Sequence, residues 1–133
     1  DQGFNPLAAI FRRIAIVEMT HIELLAERIL FLKGDVELVP AGPVQKITEP
    51  EAILKGAAQM EQGAVDTYNK FALEAGAIPD SATKQIFESL VQQEEAHFDE
   101  FDKQLDNIKR FGPSYLALQS FAPPAPEAPP AGA

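Results

Sequence analysis

The stretch QQEEAHFDEF, residues 92–101, places Glu94 and His97 three residues apart inside a strongly periodic segment. Phe87, Leu90, Phe101, Leu105 and Ile108 recur around it in steps of three and four. That spacing builds one buried face of an α-helix lying nearly parallel to its neighbours. Glu94 and His97 fall on the same face, where a carboxylate and an imidazole would lose their water. A reading of this stretch as helix therefore has to say what the two groups face.

The same interruption occurs twice more. Upstream, the seam Phe11, Ile14, Glu18, His21, Leu25, Leu32, flanked by Ile10, Val17, Leu24 and Phe31, carries a second Glu-x-x-His pair at its middle. Between the two lies Leu54, Ala57, Glu61, Ala64, Tyr68, Phe71, broken by a single glutamate. Breakers divide these seams. Pro6 opens a helix over residues 7–33 that stops at Gly34, and DVELVPAGPVQKIT, residues 35–48, reads as an extended crossover. TEPEA starts a second helix, with Thr48 as cap and Pro50 in the first turn, running to about Ala75. GAIPD ends it, Asp80 or Ser81 caps a third helix to about Arg110, and FGPSYLALQSF allows a short fourth. The expected fold is all-α: a helical bundle of three long helices and a short C-terminal one over residues 1–121. The Pro/Ala-rich tail, residues 122–133, cannot bury a core and is expected to be disordered.

Composition limits the partners. Asp plus Glu outnumber Lys plus Arg by 20 to 11, for a net charge of −9, which argues against nucleic acid or an anionic membrane as partner and favours cations. With no cysteine there is no disulfide, thiolate ligand or cysteine nucleophile, so a metal would have to use nitrogen and oxygen donors. No apolar run is long enough to span a bilayer, and residues 1–20 lack the layout of a signal peptide. A soluble, cytoplasmic protein is the expectation.

Side chains three apart on a helix are neighbours, so each Glu/His pair can converge on one point. Three carboxylates buried together cost several kcal/mol per ion after relaxation, of order ~10 in sum, unless they protonate or meet cations. Carboxylate and imidazole donors suit iron or manganese and also zinc, and shared carboxylates favour a pair of divalent ions. Ferritin-like di-metal bundles use one Glu from each of two helices and Glu-x-x-His from each of the other two. This chain offers Glu18, His21, Glu61, Glu94 and His97, one Glu fewer. The bland alternative is that these groups face solvent. Tyr68, on the second seam, reads as a core residue, with electron donation or a hydrogen bond to a ligand as the alternative. Glu95, Asp99, Glu100 and Asp102 read as a solvated face, or as lining that collects iron.

From about Glu18 to Gln119 the sequence resembles the bacterioferritins: EMTH then ERILFL in the first helix, Glu61 in the second, EEAH in the third and FGPSYLALQ at the end. The separations, 43 residues from Glu18 to Glu61 and 33 from Glu61 to Glu94, fit that family. The resemblance implies a di-iron ferroxidase that oxidises Fe(II) with O₂ or peroxide and stores ferric mineral in an oligomeric shell. It makes Glu18 and Glu94 bridging ligands, gives His21 and His97 one iron each, and has Glu61 complete the iron beside His97. It also implies haem, held by Met19 of two chains across a twofold axis; packing is the plainer role for a methionine there. Rival readings are a di-iron peroxidase or oxidase without storage, and a haem-binding helical oligomer with a degenerate metal site. The chain departs from the family in having only DQGFNPLAA ahead of its first helix, where bacterioferritins place a further helix and its Glu. Either a helix ahead of Asp1 is missing from this sequence or the subunit is shortened; the expectation is the shortened subunit, its bundle completed by another subunit in a homo-oligomer. Twofold dimers would form a closed shell, smaller than the usual cage of about 24 subunits, for example about 12. An electron-donor protein is a further candidate partner.

Overall fold

The computed structural model describes residues 3–121, and the expectation for the 122–133 tail lies outside them. Four helices follow one another: α1 (Asn5–Phe31), α2 (Pro50–Ala77), α3 (Ser81–Phe111) and α4 (Pro113–Phe121). Among the described residues none is long and apolar enough to cross a membrane.

The ends follow local chemistry. α1 and α2 both begin with proline in the first turn, where the missing N–H is not needed. The residue preceding α2 is Glu49 in extended conformation, one later than the Thr48 cap expected, and the Glu49 side chain makes no capping bond. α3 is capped by Asp80, whose carboxylate accepts from Thr83 N at 3.0 Å and from Thr83 Oγ1 at 2.5 Å. α1 stops at Phe31, two residues before the predicted end. Gly34 N–H donates to the Ile29 carbonyl at 2.9 Å and Lys33 N–H to Leu30 at 3.0 Å, the double bond of a Schellman cap. Lys33 takes the left-handed position, φ 64°, that glycine would fill more easily. Gly34 is needed for a different reason: a Cβ there would lie 2.9 Å from Ile29 Cγ2.

α2 and α3 form an antiparallel hairpin with the most extensive interface in the molecule, and α1 lies against α3 and α4. Arg13 pairs with Glu100, and Arg28 with Asp80, so α1 runs antiparallel to α3 and parallel to α2. Parallel helices cannot be joined by a tight turn. The chain must return about 40 Å, the length of a 27-residue helix, and residues 34–49 in extended form reach about 50 Å. The backbones of α1 and α2 do not approach each other closely among the described residues, which leaves a trough between them. At its lower end Phe4, Leu7, Phe11, Ile47, Pro50 and Ile53 border a cavity of about 330 Å³.

Ile14, Leu54, Ala58, Phe101 and Ile108 form the core below the middle of the bundle, with Phe11 against Phe101 at 5.0 Å between ring centres. Burying a ring such as Phe101 contributes about 1.5–3 kcal/mol. Above the middle, Leu90 is fully buried, and Tyr68 and Phe71 pack on Phe87. The α3 seam is as predicted. On α2 the deepest residues are Leu54, Ala58, Glu61, Val65, Ala72 and Ala75, so the stripe is turned from Ala57 and Ala64 towards α3. The small side chains let α3 approach closely on that side, while among the described residues no helix backbone packs closely on the opposite flank. On α1 the predicted seam residue Leu32 and its flank Phe31 are exposed, because the helix ends there.

Candidate metal centre

Between these two apolar layers all five predicted side chains meet. α1 delivers Glu18 and His21, α2 delivers Glu61, and α3 delivers Glu94 and His97. Glu94 is fully buried, and His21, Glu61 and His97 are nearly so. Glu18, Glu61, Glu94 and His97 each offer a donor atom within 4.8 Å of the others. His97 Nδ1 lies 3.0 Å from Glu18 Oε1, 3.2 Å from Glu94 Oε2 and 3.9 Å from Glu61 Oε2. His21 Nδ1 lies 3.0 Å from Glu94 Oε1 and 3.4 Å from Glu18 Oε2. The two imidazoles stand nearly parallel with centres 6.0 Å apart. Glu18 and Glu94 thus each turn one oxygen towards either histidine.

The electrostatics of this cluster call for a cation. Glu18 Oε1 is buried without a hydrogen bond, although His97 Nδ1 lies 3.0 Å away. Burial, followed by a hydrogen bond with Glu94 and the charges of Glu18 and Glu94, pushes Glu61 up to about 8. Burial and the charge of Glu94 raise Glu18 as well. Tyr68, half-buried against Phe87, is raised by burial and then by the same three carboxylates. A divalent ion among these oxygens would satisfy the orphaned atom and relieve the repulsion together, so the donor set fits hard or borderline metals of the iron, manganese and zinc type.

The two histidine sides are not equivalent. His97 has three carboxylates within 4 Å and completes a four-donor set, whereas His21 shares only Glu18 and Glu94. Glu18 is also the least covered member, with 39% of its side chain exposed. Met19 points away from the centre and is 63% exposed, beside the exposed Ile16 and Ile22 on the outer face of α1. In the acidic run, Glu100 pairs with Arg13 and Asp99 with Lys103, which makes part of it a structural, ion-paired surface.

One residue of this neighbourhood was not identified from sequence. Gln93 Oε1 accepts from His21 Nε2 at 3.0 Å, while Gln93 Nε2 donates to the Ser89 carbonyl at 3.4 Å. Only the register of α1 on α3 tells Gln93 from Gln92, and no helical period within one segment contains that register.

Comparison with known proteins places the chain among relatives. The family described as Ferritin-like domain matches residues 1–111. The chain is 32% identical to the bacterioferritin of Desulfovibrio desulfuricans over 88% of its own length, and spans 65% of that protein. It is also 32% identical to the bacterioferritin of Rhodobacter capsulatus, over 92% of this chain and 76% of that one. The crystal structure of the Desulfovibrio desulfuricans bacterioferritin, described with its diiron site in different catalytic states, superposes with a TM-score of 0.92 at 30% identity, covering 99% of this chain and 77% of that chain.

Proposed function

The chain belongs to the bacterioferritins within the ferritin-like domain family, and on that premise we propose that it is an iron-storage subunit with ferroxidase activity. The observation that carries this reading is the convergence of Glu18, His21, Glu61, Glu94 and His97 around a buried carboxylate oxygen that has no hydrogen bond. Glu18 and Glu94 would bridge two irons, His21 and His97 would each hold one, and Glu61 would complete the position beside His97. Iron bound there supplies the redox chemistry, Fe(II) giving electrons to O₂ or peroxide. The protein's part is to bind and neutralise. Three carboxylates stabilise the more highly charged ferric state, the apolar layers around Phe101 and Leu90 restrict water, and Glu61 gives up its proton to solvent as a cation arrives.

Beyond the centre, the reading includes a soluble, cytoplasmic homo-oligomeric shell that holds ferric mineral. The exposed apolar outer face of α1 would pair across a twofold axis, with haem between two Met19 thioethers. One haem per two chains in the purified protein checks that part, and Met19→Leu should abolish it. The ferroxidase reading is tested by adding Fe(II) in air and following the ferric absorbance. Wild type should oxidise iron at least tenfold faster than Glu94→Ala, since that change removes an oxygen from both histidine sides. Equal rates would defeat the assignment.

A further inference from the structure

We propose that Gln93 is the positioning residue of the His21 side of the centre: it fixes the ring so that Nδ1, and not Nε2, serves as the metal donor. The inference rests on the two-metal reading above. Gln93 Nε2 donates to the Ser89 carbonyl at 3.4 Å, one turn back on α3, which leaves the amide oxygen facing His21. That oxygen is an acceptor only, so the 3.0 Å contact requires a proton on His21 Nε2. The other ring nitrogen then faces Glu94 Oε1 and Glu18 Oε2. With Nε2–H committed to Gln93, the Nδ1 lone pair can sit against two carboxylates only with a proton or a metal ion between them. A second partner of this kind usually orients a histidine ligand and raises its basicity.

Gln93 does this as a neutral amide. A carboxylate in its place would orient the ring equally well but add a fourth negative charge beside a centre that already has three. The choice matters for His21 and not for His97, whose ring is surrounded by Glu18, Glu61 and Glu94 from three helices. Gln93 therefore belongs to the side with fewer carboxylates, where ring orientation has to come from elsewhere.

Zinc(II), which is redox-silent, is the probe. The full-length chain, Gln93→Leu and Gln93→Glu are each titrated with zinc by calorimetry, and the histidine ¹⁵N resonances of the loaded proteins are recorded. Wild type should bind in two steps and show His21 protonated at Nε2 with slow exchange. Gln93→Leu should weaken the second step about 10–100-fold, leave the first unchanged and speed exchange of the Nε2 proton. Gln93→Glu should restore both the second step and the slow exchange, since it returns an acceptor. Loss of both steps alike in Gln93→Leu, or of neither, overturns the inference, as does wild-type His21 binding zinc through Nε2. A wild-type protein that takes up only one zinc defeats the two-metal reading itself and the inference with it, and is recognised before any substitution is made.

Discussion

At the scale of single residues, Glu61 carries the clearest energetic signature. Its pKa in the fold is about 8 against an ordinary 4.5, so between those values the folded chain holds a proton that the unfolded chain has released. Stability of the metal-free protein must therefore fall as pH rises through that window, while below it both states are protonated and the stability is fully present and independent of pH. Thermal unfolding of metal-free protein from about pH 5 to 8 should show this decline, and Glu61→Gln should remove most of it. Identical pH profiles for the two proteins would show that the carboxylate is not buried among like charges. The five converging side chains were legible in sequence as proposed ligands because a charge on a 3.5-residue apolar seam is an anomaly visible in one dimension. Gln93 was not, since it lies beside the seam and acts only through a residue 72 positions away.

Among the elements, the helix starts were legible because proline and Asp80 act within a turn of themselves. Their interfaces were less so. The α2 stripe is turned towards Ala58, Val65 and Ala72 because α3 packs on one flank only, a fact about neighbours rather than about the segment. The end of α1 falls two residues before the one the sequence predicts because Gly34, the evident helix breaker, is not the turning residue: Lys33 adopts the left-handed turn and Gly34 makes room for Ile29. A non-glycine residue in that conformation costs roughly 1–2 kcal/mol, part of which glycine would give back as unfolded-state entropy. Lys33→Gly should therefore raise stability by up to about 1 kcal/mol, measured by denaturant unfolding, whereas Gly34→Ala should lower it. The reverse order would mean that the cap is not formed as described. Nearby, Arg28 donates to Thr83 Oγ1 at 2.7 Å and to Asp80 Oδ1 at 2.6 Å, tying the end of α1 to the start of α3. Together with Arg13 and Glu100 this clamp sets the α1–α3 register on which the centre depends.

For the whole molecule, the topology explains how two parallel helices, α1 and α2, contribute to one centre although their backbones stay apart: both pack towards α3, which carries Glu94 and His97, and their side chains meet in the core and at the centre. Among the described residues the centre is lopsided, with a four-donor position at His97 and a poorer one at His21. Filling should be ordered accordingly. The all-α class and the three long helices could be read from periodicity alone, but the trough could not, because nothing in a seam says which of its flanks remains uncovered. The most direct test of the account is anaerobic Fe(II) titration of the metal-free protein, counting tightly held iron per chain after desalting. Wild type should hold two irons per chain, bound in two steps of unequal affinity, with Glu61→Ala weakening the tighter step and Glu94→Ala abolishing both. Wild type that holds no more iron than Glu94→Ala would contradict it.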